Sequence, residues 1–190
     1  MRSFRSIHFA FCFVALAVAA CSLHSKGTGT ESDVKFIAET ANQAQAQFAL
    51  GKLKHALELY ASAFDKYHHP PGLRRGYVKL GEQIKNNADT AYKSGDVATA
   101  GIDYSILLES GITTREFAGT LSFDDNYLSR QIKACSKALM ESGLKKYREE
   151  RLDEAIVIWK KALFFDRDNR NIKNALETAT AQMQQLNQIR

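Results

Sequence analysis

Proline is almost missing from this chain: Pro70 and Pro71 are the only two, and they are adjacent. A sequence so poor in the helix breaker, and rich in Ala, Gln, Lys, Glu and Leu, leans strongly helical. Cysteine is nearly as scarce, with Cys12 and Cys21 near the start and Cys135 alone in the body of the chain. One thiol cannot build a disulfide framework. Leu128, Ile132 and Leu139 recur around Cys135 at helical spacing, which reads as a small buried hydrophobe; a catalytic thiol would need a base, and no histidine lies near it in sequence. Neither charge dominates: 26 basic residues stand against 21 acidic ones, for a formal +5. The two signs alternate as on solvated helix faces, without the clustered basic stripe that nucleic-acid binding requires. With 45% hydrophobic and 25% charged residues over 190 positions, the chain is globular and can bury the core of one domain.

Long apolar runs are absent too. The run "IHFAFCFVALAVAA", residues 7–20, would span only about 21 Å as a helix. A bilayer's hydrocarbon core is about 30 Å thick, so a cleaved export signal is a better reading than a transmembrane anchor. Arg2 and Arg5 supply its positive start, and without them 24 basic and 21 acidic residues leave +3. The "VAAC" of Val18–Cys21 resembles the lipobox of bacterial lipoproteins. The resemblance implies that residues 1–20 are a signal peptide, that Cys21 is acylated and becomes the first residue, and that residues 21–34, the polar "SLHSKGTGTESD" among them, form a tether. It places the protein in the bacterial cell envelope, lipid-anchored at the outer membrane and facing the periplasm.

Residues 35–190 carry an internal repeat. Aligned on Ala56, Ala100 and Ala155, three segments agree in six columns of side-chain size. Twelve residues before each anchor come Ala44, Ala88 and Gly143; eight before come Phe48, Tyr92 and Tyr147; three before come Leu53, Val97 and Leu152. Four residues after come Tyr60, Tyr104 and Trp159, and seven after come Ala63, Leu107 and Ala162. Small residues at two crossing points let paired helices approach closely, and an aromatic past each anchor fills the space between one hairpin and the next. Gly51 and Gly95 fall in the interhelical turns, where glycine tolerates a left-handed backbone. Glu150 stands at that place in the third segment, so a differently built turn is expected there. A hairpin alone leaves an apolar face wet, and stacking buries it.

These columns resemble the tetratricopeptide repeat, a helix–turn–helix unit of 34 residues, with units at about 37–70, 81–114 and 136–169. "ALFFDRDN" parallels the family's repeat end, with Arg167 where proline is usual. The anchors lie 44 and 55 residues apart, so the units are not contiguous. The added residues read as early starts to the second and third A helices. Leu73, Tyr77, Leu80 and Ile84 continue one apolar stripe, and the other helix starts near Asp124–Asp125 after the loop "REFAGTLSF". The role of the 115–126 insertion is not legible. Ile172, Leu176, Ala179, Met183, Leu186 and Ile189 form the stripe of a terminal helix that covers the last hairpin. The expected fold is therefore all-α, an antiparallel helix-hairpin solenoid of about three irregular units with a C-terminal capping helix.

No phosphate loop, nucleophile elbow or paired C-x-x-C occurs. His68-His69 lack the convergent partners that zinc needs and read as a solvated loop, while Trp159 reads as core. No enzyme activity, cofactor, metal, nucleic acid or small-molecule substrate is expected. The resemblance implies a scaffold whose concave A-helix face holds a protein or peptide client, in the class that serves pilus secretin assembly and outer-membrane protein insertion. A cell-wall enzyme, or an accessory to one, is the alternative. Gln45, Asn86 and Lys137 are the candidate groove residues. One subset of the family clamps a peptide's terminal carboxylate from five positions. Asn86 and Lys137 match two of them, whereas Ala41, Gln45 and Glu141 do not, so carboxylate capture is not expected.

Overall fold

The computed structural model describes residues 31–67, 70–116 and 118–189. Residues 1–30, and Cys21 with them, lie outside the described residues, as do His68, His69 and Phe117. Among the described residues the chain is all-helical, with α1 Glu31–Ala49, α2 Leu53–Lys66, α3 Pro71–Ser94, α4 Val97–Glu109, α5 Asp125–Arg148, α6 Leu152–Phe165 and α7 Arg170–Ile189. Two short 3-10 turns, Ile112–Thr114 and Ala118–Thr120, join α4 to α5. Helix α1 thus begins within the stretch 21–34 read as a tether.

Local chemistry accounts for the boundaries. Pro71 opens α3, where its missing N–H is no loss. The Asp124 carboxylate accepts from the Tyr127 N–H at 2.6 Å and starts α5, and Asp96 caps α4 in the same way through Thr99. The Asn169 Oδ1 accepts the Ile172 N–H at the head of α7.

The turns that join α1 to α2, α3 to α4 and α5 to α6 share one geometry. Gly51, Gly95 and Glu150 have φ of 72°, 89° and 60°. Their N–H groups donate three residues back, to Phe48, Tyr92 and Tyr147. The next N–H groups, of Lys52, Asp96 and Arg151, donate five residues back, to Gln47, Ala91 and Lys146, and all six bonds measure 2.9–3.1 Å. This doubly bonded left-handed cap satisfies carbonyls that a helix end leaves open. The expectation of a different third turn is therefore wrong. The helix-end hydrogen bonds impose the left-handed angle on Glu150 although its Cβ opposes it.

Consecutive helices pack on one another along the whole chain. Of the eighteen positions in the six columns, thirteen are buried: Ala44, Ala56, Tyr60, Ala63, Ala88, Ala100, Tyr104, Leu107, Gly143, Leu152, Ala155, Trp159 and Ala162. Phe48, Leu53, Val97 and Tyr147 are half-buried and Tyr92 is exposed, so the aromatic column eight residues before the anchor is not a core column. Tyr60 stacks on Tyr77 of α3 with ring centroids 5.9 Å apart, and Tyr104 meets Tyr127 of α5 edge-on at 6.2 Å, so both rings bridge to the following helix pair. Trp159 differs. Its indole lies against Gly143 and Tyr147 of its own partner helix α5 and donates to the Met140 carbonyl. Gly143 is glycine because any Cβ there would overlap the indole. Burying one such large side chain contributes about 1.5–3 kcal/mol.

Helices α3 and α5 are each 24 residues long, and Leu73, Tyr77, Leu80 and Ile84 lie buried along α3. The segment between α4 and α5 folds back as a strap on the first two hairpins. Ile112 and Phe123 are buried against α3, beside Gly81. Ser122 donates its N–H and hydroxyl to the two carboxylate oxygens of Glu82, at 2.6 and 2.7 Å. Arg115 pairs with Asp65 of α2 at 2.6 Å and lies over the Phe64 and Tyr77 rings. At the C-terminal end, Ile172 and Ala179 of α7 are buried and Leu176 and Met183 half-buried, while Leu186 is half exposed.

Candidate functional site

With the small residues turned inward, the first helix of each pair presents polar residues to solvent. Gln45 on α1, Asn86 on α3 and Lys137 on α5 are all exposed. Lys137 lines a cleft of about 260 Å³ between α5 and the head of α7, together with Lys133, Ser136, Met140, Glu141, Asp166, Asn169 and Asn171. Gln45 and Asn86 do not line this cleft, so the three groove residues are not gathered at one point.

The floor of the cleft is an organised polar cluster. The Asn169 amide donates to the Ser136 hydroxyl at 3.1 Å and to the Asp166 carboxylate at 2.8 Å, while its oxygen caps α7. One side chain thereby fixes the chain reversal before α7 to the middle of α5. Ser136 is almost wholly buried. The rim carries both signs: Lys133 and Lys137 face Glu141 and Asp166, and Lys137 pairs with Glu141 at 4.0 Å. Such a surface can hydrogen-bond a peptide backbone and neutral polar side chains. It offers no concentrated positive charge for a carboxylate.

The strongest electrostatic feature lies elsewhere. The hydroxyls of Tyr104 and Tyr127 both donate to Asp89 Oδ1, at 2.6 and 2.7 Å, and Lys85 Nζ reaches Oδ2 at 2.9 Å. Burial works against the charge on Asp89, but the hydrogen bonds from Tyr104, Lys85 and Tyr127 together outweigh it and hold the carboxyl below its ordinary range. A carboxylate so occupied is no proton acceptor. It ties α3, α4 and α5 together. Burial pushes the Cys135 thiol up to about 11, which leaves it unreactive near neutrality. Asp103 on α4 is pushed up to about 6 by burial and then by the charge of Asp96. No hydrogen bond or ion pair of its side chain is seen among the described residues, so it lacks the aligned partner a general acid or base would work with.

Among the described residues, no group of three His, Cys, Asp or Glu side chains could hold a metal ion, and no helix is long and apolar enough to cross a membrane. Sequence reasoning missed Ser136, Asn169 and Asp89 as connected groups. The one available signal was the polar "DRDN" run ahead of α7, which marks a cap without naming its partner. The chain matches no family model and no curated protein.

Proposed function

We propose that this chain is a lipid-anchored helical-repeat scaffold of the bacterial cell envelope. Its three helix pairs would form an irregular tetratricopeptide-like solenoid capped by α7, attached through acyl chains on Cys21. A protein segment lies along the surface formed by α1, α3 and α5, held by mixed polar and apolar contacts at Lys137 and its cleft, with Asn86 and Gln45 further along. The client belongs to an envelope, secretion or pilus assembly, and the anchor holds the domain at the outer membrane, facing the periplasm.

The observation that carries this reading is the threefold recurrence of one turn. Gly51, Gly95 and Glu150 each stand five residues before an invariantly buried alanine and adopt the same backbone angle and hydrogen bonds. A unit repeated at that level of detail is a building block for an extended surface rather than for a single enclosed pocket. Extended grooves of this kind recognise chain segments.

Crosslinking in intact cells tests it. A photo-crosslinking residue placed at Lys137 or Asn86 should capture the same protein, identified by mass spectrometry, whereas one at the exposed Gln185 of α7 should not. Absence of an adduct at both groove positions, or equal capture at Gln185, overturns the reading.

A further inference from the structure

Helix α6 turns a different surface outward. Val157, Lys160, Lys161 and Phe164 follow the i, i+3, i+4, i+7 spacing of one helix face. Val157 is 52% exposed and Phe164 62%. Together with Ile102 of α4 they line a shallow, open cleft of about 380 Å³. Among the described residues the only charged groups lining it are Lys160 and Lys161, and no ion pair of either is seen there.

The repeat supplies an internal control. Two residues past the anchor stand Glu58, Ile102 and Val157; nine past it stand Asp65, Glu109 and Phe164. In the first two helix pairs the later column is spent on ion pairs, Asp65 with Arg115 and Glu109 with Arg167. The fold therefore accepts a carboxylate where α6 places an exposed phenylalanine. Core packing does not require Phe164 or Val157 to be apolar. Where the first two pairs carry a carboxylate at the later column, the third carries Phe164 in an apolar cleft with two cations on its rim.

We propose that the α4–α6 cleft docks an apolar and acidic segment of another protein, on the second helices of the pairs rather than on the α1, α3, α5 surface. A large apolar side chain of that segment enters between Ile102, Val157 and Phe164, and Asp or Glu residues within one turn of it meet Lys160 and Lys161. The charge complementarity selects an acidic partner over a basic one. A bilayer is the rival occupant of so shallow and open a patch, and the adducts formed at position 164 distinguish the two. Because the apolar area is small and the charges lie at the rim, the contact is weak and falls with added salt.

A displayed random-peptide library selected on the full chain tests this. Enriched peptides should join an aromatic or Leu to Asp or Glu within one helical turn. Phe164→Ala, and separately Lys160→Glu with Lys161→Glu, should weaken their binding by about tenfold or more. These side chains are exposed, so the variants should keep the wild-type melting temperature. Benzoylphenylalanine at position 164 should give protein adducts in intact cells. Selected peptides without acidic residues, peptides unaffected by these variants but lost on Lys137→Glu, or lipid adducts at position 164 each overturn the proposal. The Lys137→Glu outcome separates failure of this cleft from failure of the α1, α3, α5 groove.

Discussion

Glu150 holds the backbone angle of Gly95: both are left-handed, at φ 60° and 89°, and both close their turns with the same pair of hydrogen bonds. For glycine this conformation is nearly free, whereas a side chain bearing Cβ loses about 1 kcal/mol or more. Glu150→Gly should therefore raise stability by about 0.5–1 kcal/mol, and Gly95→Ala should lower it by a similar amount. Thermal melts of the two variants decide the matter. A Glu150→Gly protein less stable than wild type would mean that the turn is not strained.

The small-residue columns make a second claim. Ala162 is fully buried, whereas its neighbour Lys161 is exposed. Ala162→Glu buries an unpaired charge and should cost several kcal/mol, while Lys161→Glu should change stability by under about 0.5 kcal/mol. Gly143→Ala adds a sharper test. Helix propensity favours alanine by about 1 kcal/mol, but the new methyl overlaps the Trp159 indole and should cost about 1–3 kcal/mol net. Equal melting temperatures for the Ala162 and Lys161 variants would remove the basis for the repeat register.

Asp103 makes stability depend on pH in an uncommon direction. Its folded pKa, about 6, lies above the ordinary carboxyl value, so folding favours the protonated form. That stabilisation is complete in acid and is lost as pH rises through the window from about 4 to about 6. Above it the buried carboxylate destabilises the fold by roughly 2–3 kcal/mol. Asp103→Asn should raise the denaturant midpoint near pH 7.5 and leave it almost unchanged near pH 4. An equal gain at both pH values would mean that the effect is not electrostatic.

Helix content, the apolar stripe of α3 and the burial of the anchor columns are legible in the sequence because each follows from spacing along one helix. Trp159 is legible as core for the same reason, although not its partner: it packs inside its own helix pair rather than toward the next. What spacing cannot convey is pairing between distant residues. The Arg115–Asp65 bridge that straps the 115–126 insertion down joins positions 50 apart, and the Tyr127–Asp89 bond joins positions 38 apart. Neither leaves a period to read. The third turn was misread because a left-handed residue at a helix end favours glycine but does not require it. The groove was legible only as single residues: Lys137 lies in a cleft whose organising members, Ser136 and Asn169, stand 33 residues apart.

The mixed rim of that cleft bears on how the proposed client would be held. Glu141 and Asp166 stand among the lysines and would repel a terminal carboxylate. A bound peptide should therefore keep its affinity when its C-terminus is amidated, as titration by fluorescence anisotropy would show. Binding that disappears on amidation would establish carboxylate capture and overturn the proposed mode.

The proposed attachment rests on Cys21, at the end of the "VAAC" sequence. If it is acylated, the domain is held by hydrocarbon chains, each buried methylene contributing about 0.8 kcal/mol. A single chain binds reversibly, so stable attachment takes the two or three chains that the lipoprotein resemblance implies. Ser22 follows the cysteine, where aspartate would signal retention at the inner membrane, so the outer membrane is the expected destination. Helix α1 begins at Glu31, which leaves nine residues from Ser22 to Thr30, all polar or small apart from Leu23. Fully extended they reach at most about 30 Å, so the helical domain would work close to the bilayer. Cys21→Ala should abolish labelling by palmitate and leave an uncleaved precursor or a soluble periplasmic form. The thermal unfolding of residues 31–189 should not change, because position 21 lies ahead of α1. A wild-type protein that takes up no label, or that salt washes from the membrane fraction, would exclude the lipid anchor while leaving the helical fold and both proposed docking surfaces intact.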